Sequence, residues 1–154
     1  MKGLANYPSP VSDKHITVCD GVNWMTLDPN TTHITVGRNC SSYRSQTVLD
    51  LSRFLYLKEL VVGDGSFMYV NEVKLVGLHY LESVVIGEYC FRHNGHFALK
   101  NCPTVKSLII GEGSFSDYNV IEIENVNALE VIEMDYSCFF WVSLELKSIL
   151  VHRE

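Results

Sequence analysis

Two consecutive stretches of the chain, LESVVIGEYCFRHNGHFALKNCPT at residues 81–104 and VKSLIIGEGSFSDYNVIEIENVNA at residues 105–128, align without a gap. The stretch before them, LKELVVGDGSFMYVNEVKLVGLHY at residues 57–80, keeps the same register, so the repeat is 24 residues long. A further copy opens at Leu129 and is one residue shorter, and residues 31–56 hold an earlier copy with two extra residues. Tandem units of this length are typical of solenoids, because one unit cannot bury its apolar face alone.

Apolar residues recur at fixed places in each copy and define columns. The first segment of the unit carries the columns Leu57/Leu81/Val105/Leu129, Leu60/Val84/Leu108/Ile132, Val62/Ile86/Ile110/Met134 and Phe67/Phe91/Phe115/Phe139. A second alternating segment carries Leu51, Leu75, Leu99, Ile123 and Leu146. Short alternation of period two predicts half-buried strands. We therefore expect a mainly β fold, a solenoid of about five 24-residue rungs with two parallel sheets and little helix.

The spacing L-x-x-L-x-I-x-x-x-x-F resembles the leucine-rich repeat signature L-x-x-L-x-L-x-x-N-x-L, with Phe in place of the last Leu. The resemblance covers residues 31–150, and the I-G-x-x-x-F phrase is most similar to the BspA-type leucine-rich repeat proteins of protists and bacteria. The chain departs from the signature because Gly65, Tyr89, Gly113 and Ser137 stand at the Asn position. The resemblance implies binding to another protein, or a place in a larger surface or adhesion array.

The repeat divides the chain into two parts. Residues 1–30 are interpreted as an N-terminal cap or shortened rung, and residues 31–154 as the repeat solenoid. The tetrapeptide HITV at residues 15–18 recurs at residues 33–36, and Trp24 and Met25 are expected to cover the open core of the first rung. No polar capping element is evident after Leu146. End-to-end self-association at the last rung is therefore a further expectation.

Composition excludes several classes of partner. The net charge is −6, from 12 basic and 18 acidic residues, which disfavours binding to the phosphates of nucleic acids. No apolar run reaches the length of a membrane span, and the first residues do not resemble a signal peptide. The five cysteines are an odd number. We therefore expect reduced thiols rather than a disulfide framework, and favour a cytoplasmic location.

The sequence offers few candidates for chemistry. Cys90, His93 and His96 lie in one loop and support the alternative of a metal-dependent enzyme, but C-x-x-H-x-x-H lacks the further thiols of a structural zinc site. The motifs of common nucleophilic and nucleotide-binding enzymes are absent. We expect no cofactor and no catalytic activity.

The outward positions of the first predicted sheet form the candidate binding site. They read Thr35, Val61, Val85, Ile109 and Glu133, called the stripe below, and they are flanked by the acidic row Asp64, Glu88 and Glu112. The second sheet carries charged outward residues, so it is interpreted as a solvated face. A contiguous exposed apolar patch marks an interaction site, although β-branched residues also simply suit strands. The leading hypothesis is a non-catalytic protein-protein interaction module that binds through the outer face of the first sheet.

Overall fold

The computed structural model describes residues 12–139 and 144–147. Within them, a six-stranded parallel sheet contains, in spatial order, β1 (His15–Val18), β2 (His33–Val36), β4 (Glu59–Val62), β6 (Ser83–Ile86), β8 (Ser107–Ile110) and β10 (Val131–Met134). A five-stranded parallel sheet contains β3 (Val48–Asp50), β5 (Glu72–Val76), β7 (His96–Lys100), β9 (Val120–Glu124) and β11 (Leu144–Lys147). The helix in the described part is one 3-10 turn, Trp24–Thr26. The predicted mainly β solenoid with two parallel sheets and little helix is confirmed.

The register of the strands reproduces the alignment of the sequence. Ser83 lies opposite Glu59 and Ser107, so these strands are offset by the 24 residues of the repeat. His33 pairs with Glu59 across the copy that has two extra residues, and Leu144 pairs with Ile121 across the shorter last copy. From β2 onward, each rung therefore places one strand in each sheet, and equivalent residues stack directly on one another.

The core lies between the two sheets, and the predicted columns fill it. Leu60, Val84 and Leu108 are at most 1% exposed. The phenylalanine column forms a continuous stack, with centroid separations of 5.3 Å, 4.7 Å and 5.0 Å along Phe67, Phe91, Phe115 and Phe139. The first three rings are fully buried, and Phe139 is partly exposed. The second strands contribute a matching buried column of Leu51, Leu75, Leu99 and Ile123.

From β2 onward, the turn after each strand of the first sheet has a left-handed backbone at two positions. The column at the signature Asn position has φ between 54° and 71°, at Asn39, Gly65, Tyr89, Gly113 and Ser137. The column two residues later has φ between 50° and 57°, at Ser41, Phe67, Phe91, Phe115 and Phe139. Asn and Gly accept this conformation readily, whereas a bulky residue adopts it only where packing holds it there. Burial of the stacked rings holds the phenylalanines of the second column in this left-handed conformation.

A column of small polar side chains ties each rung to the one before it. Ser114 Oγ accepts a hydrogen bond from the Cys90 amide at 2.9 Å and donates one to the Gly87 carbonyl at 2.6 Å. Ser66 makes the equivalent pair of bonds, and the thiols of Cys90 and Cys138 donate to the preceding glycine carbonyls. The alternation of Ser and Cys in this column therefore preserves one interaction, because each side chain satisfies a buried backbone group.

One expectation about the cysteines is wrong. Cys19 and Cys40 form a disulfide, with their Cα atoms 4.8 Å apart. Cys19 stands in the column that Gly37 occupies in the next rung, and the side chain of Cys40 reaches back to that column as Ser66 does. The odd count of five cysteines does not exclude a bond, because two of them pair and Cys90, Cys102 and Cys138 stay free.

The two ends of the described solenoid differ. Trp24 packs against the core as expected, 6.0 Å from Phe67 between ring centroids, but Met25 is 73% exposed and covers nothing. At the far end, Ile132 on β10 is 37% exposed, although it belongs to the same column as the buried Leu108. Residues 1–11 of the predicted cap and the chain after Lys147 lie outside the described residues.

Candidate interaction surface

The five residues of the stripe lie side by side on adjacent strands. Val61 is directly opposite Val85, and Val85 is opposite Ile109; Thr35 and Glu133 continue the row at its two ends. The three apolar side chains are partly exposed, and those at the two ends are exposed. Alternation along each strand explains this outcome, because consecutive side chains point to opposite faces of a sheet. The stripe is therefore a continuous outward row with an apolar centre.

The acidic row lies at the turn beside the stripe, and part of it has a structural role. The carboxylate of Asp64 is paired with the guanidinium of Arg38, 3.2 Å away. Its Oδ1 also accepts a hydrogen bond from the Glu88 amide at 2.9 Å. This bond joins neighbouring rungs, which the sequence analysis did not predict. An Asp beside a strand-ending glycine was the available signal, because short carboxylates often bind the backbone of a turn.

The other two members of the row are less constrained. Glu88 is exposed, and Glu112 is partly exposed. The negative charge of Glu112 raises the pKa of Tyr89, and a hydrogen bond between the two side chains acts in the same direction. The tyrosine is thus neutral at physiological pH. The row presents carboxylates along one edge of the stripe.

The outer face of the second sheet carries ion pairs instead of an apolar row. Lys74 pairs with Glu72 at 3.1 Å. The Glu122 carboxylate contacts His96 at 3.1 Å and also pairs with Lys100. Ala98, which points outward between these charged side chains, is only 5% exposed because they cover it. The middle of this face is therefore charged.

An apolar margin adjoins the stripe at β10. Val131 is 39% exposed and Tyr136 is 78% exposed. A shallow depression at this edge is lined by Ile109, Ile132 and Glu133. Two residues of the stripe therefore belong to the same surface as the exposed end of the core.

The cysteine and histidines of the alternative metal site do not come together. Cys90 is buried, its thiol donates to the Gly63 carbonyl, and burial raises its pKa. His93 packs on the ring of Tyr69, 4.7 Å between centroids, and His96 contacts Glu122 on the second sheet. Among the described residues, the side chains whose possible ligand atoms converge are a different set, Asp13, His15 and His33.

Two further observations concern membrane-spanning helices and similarity to known proteins. Within residues 12–139 and 144–147, no helix has both the length and the apolar character needed to cross a membrane. Comparison of the chain with protein-family models, with curated proteins and with solved structures finds no match. The resemblance to leucine-rich repeats therefore rests on the residue pattern alone.

Proposed function

We propose that this chain is a non-catalytic protein-protein interaction module that binds its partner through the outer face of the first sheet. The observation that carries the proposal is the row of Val61, Val85 and Ile109, which the parallel register places next to one another on three adjacent strands. Each of these side chains is partly exposed. Burial of apolar surface against a partner releases about 25 cal/mol for each Å² that leaves water.

The contrast between the two outer faces supports the choice of sheet. Covering the second face would require removal of water from the charged groups of Lys74, Lys100 and Glu122, which costs free energy unless each charge finds a new partner. The centre of the first face carries β-branched hydrocarbon side chains and needs no such compensation. Interfaces are poor in charged residues at their centre and polar at their rim.

The charges around the stripe define the partner's chemistry. Glu88, Glu112 and Glu133 lie on the margin of the apolar row, whereas the charge of Asp64 is already balanced by Arg38. The complementary surface has an apolar centre and Lys or Arg groups at its rim. Such charges steer association and make its rate depend on salt concentration.

The resemblance to leucine-rich repeat proteins, most of all to the BspA type, also supports a role in binding another protein. It also favours the second candidate, a unit of a larger surface or adhesion array. The observation for this candidate is β10, which is an edge strand of the first sheet among the described residues and on which Val131 and Ile132 are exposed. An exposed strand edge accepts another strand readily, and a further rung or a second copy would cover it.

The interaction proposal is tested by capture of partners with three immobilised proteins. These are the natural chain, the double variant Val85→Lys/Ile109→Lys, and the control Val48→Lys/Val120→Lys. Val48 and Val120 are 41% exposed and lie on the second sheet, so the control adds the same charges to the other face.

Quantitative mass spectrometry compares the proteins retained on each, after circular dichroism has shown that all three are folded. We expect proteins that bind the natural chain and the control but not the stripe variant. Equal retention on the stripe variant, or loss on the control alone, would refute binding through the first sheet.

The array candidate is tested by sedimentation of the isolated chain over a range of concentrations. Association through β10 predicts a mass that rises with concentration and a loss of this rise in Ile132→Asp. A monomer at every concentration, or association that the variant leaves unchanged, contradicts stacking through that edge.

A further inference from the structure

The stacking of β1 on β2 brings three metal-binding side chains together at the N-terminal edge of the first sheet. His15 and His33 are directly opposite each other in register, with ring centroids 3.9 Å apart and planes tilted by 13°. Asp13 lies two residues before His15. The possible ligand atoms of all three side chains lie within 4.8 Å of one another.

We propose that Asp13, His15 and His33 form a binding site for a divalent transition-metal ion of the kind that imidazole ligands prefer, such as Zn²⁺. Two imidazoles and one carboxylate are a common ligand set for zinc, and solvent supplies the remaining position. Hard cations such as Ca²⁺ and Mg²⁺ prefer sites made of oxygen ligands. The mixed donor set therefore selects against them.

The side chains need only a small movement to bind the ion. Zinc with bonds of about 2.1 Å in tetrahedral geometry holds its ligand atoms roughly 3.4 Å apart. The His15 ring must turn out of the stacked arrangement so that one of its nitrogens and Nε2 of His33 point at the same ion. His15 and Asp13 are exposed and His33 is partly exposed, so no packed core resists this rotation.

Thr32 is placed to orient the His33 ring. Its Oγ1 lies 2.8 Å from Nδ1 of His33, and the Thr32 side chain is fully buried. The amide of Lys14 donates to the same oxygen at 2.7 Å and holds the hydroxyl in place. Coordination through Nε2 puts the proton on Nδ1, where Thr32 Oγ1 accepts it. Metal-bound histidines usually have such a partner on their second nitrogen.

Lys58 is the nearest competitor for the carboxylate. Its ammonium lies 2.8 Å from Oδ1 of Asp13, and this hydrogen bond holds the pKa of Asp13 below its usual value. The carboxylate is therefore ionised at neutral pH, and Oδ2 is the oxygen that faces a metal without displacing the lysine. The ammonium repels a cation, so the site binds more weakly than one without it.

A bound ion would cross-link the beginning of β1 to β2. The end of β1 is already linked to the next rung by the disulfide between Cys19 and Cys40. Among residues 12–139 and 144–147, β1 pairs with β2 alone, so it depends on few contacts for its place in the sheet. Metal binding would therefore stabilise the terminal rung selectively.

The test is a calorimetric titration of the tag-free full chain with Zn²⁺ at neutral pH. We expect saturation at one ion per chain and at least a tenfold loss of affinity in His15→Ala, His33→Ala and Asp13→Asn. His93→Ala, which removes an exposed histidine from a distant loop, is the matched control and should bind as the natural chain does. Cys138→Ser removes the partly exposed free thiol and should also leave the affinity unchanged.

Hydrogen exchange supplies a second measurement. Zn²⁺ should slow exchange of the β1 amides in the natural chain but not in His33→Ala, and Ca²⁺ at the same concentration should have no effect. Absence of saturable zinc binding overturns the proposal. So does binding that survives His33→Ala, or that is lost equally in His93→Ala.

Discussion

Replacement of Phe91 by Ala measures how much the aromatic stack contributes to the solenoid. The ring is fully buried between Phe67 and Phe115, at centroid distances of 5.3 Å and 4.7 Å, and it also meets the edge of Tyr118 at 6.4 Å. Removal of a buried Phe side chain typically costs about 3–5 kcal/mol. Contact with three rings places the expected loss near the upper end, because each aromatic pair adds about 0.5–1.5 kcal/mol beyond area burial.

Phe139→Ala is the matched control for this prediction. Phe139 has the same left-handed backbone, with φ of 50° against 53° at Phe91, so alanine inherits the same conformational strain at both positions. Among the rings of the described residues, Phe139 stacks on Phe115 only, and it is partly exposed. Urea unfolding followed by circular dichroism should therefore show about half the loss, or less, at this position. Equal losses, or a loss under about 1 kcal/mol at Phe91, would refute the stacking account.

Three further predictions concern the turns and the free thiols. Ser114→Ala should lower the free energy of unfolding by about 1–3 kcal/mol because it leaves the Cys90 amide and a carbonyl unpaired, whereas Ser114→Cys should cost less in the same urea titration. Gly111→Ala places a Cβ 2.7 Å from the backbone of Gly87, so thermal unfolding should show a loss of about 1–3 kcal/mol; an unchanged midpoint would contradict the close approach. Burial raises the pKa of Cys102 to about 11, so its alkylation in the folded protein should be slow at pH 8 and should accelerate as the pH rises and thiolate forms. Rapid labelling at pH 8, detected by mass spectrometry, would show that this thiol is not buried.

The sequence predicted the register because the spacing between equivalent residues is constant. Ser83 and Ser107 occupy the same position of the repeat, and they are also paired with each other in the sheet. The alternation of side-chain direction along each strand then determines which side chains point inward. For the same reason the stripe could be predicted residue by residue from the sequence.

The left-handed backbone at the phenylalanine column could not be predicted in the same way. Phenylalanine rarely adopts a positive φ, and nothing local in the sequence indicates it. The conformation follows from tertiary packing, since the ring stack supplies the free energy that holds Phe67, Phe91 and Phe115 in place. The sequence shows only that one bulky residue, Phe, recurs at a constant position directly after the turn.

The disulfide and the cluster of Asp13, His15 and His33 were not predicted, because each joins side chains from different columns or rungs of the solenoid. Cysteines within one column lie two rungs apart and are too distant for a bond, whereas the side chain of Cys40 reaches the column of Cys19. The tetrapeptide HITV, which recurs at residues 15–18 and 33–36, indicates a repeated strand. Its chemical consequence is that His15 and His33 face outward side by side.

Binding through the first sheet requires certain side chains of that sheet to be exposed to solvent in the free chain and to contact the partner in the complex. Hydroxyl-radical footprinting at residue resolution measures both, on the free chain and on the chain bound to a captured partner. The account predicts labelling of Val61, Val85 and Ile109 in the free chain, little labelling of Val84 and Leu108 beside them, and protection of the first three on binding while the second sheet is unaffected. Protection confined to the second sheet, or equal labelling of both sets in the free chain, would contradict it.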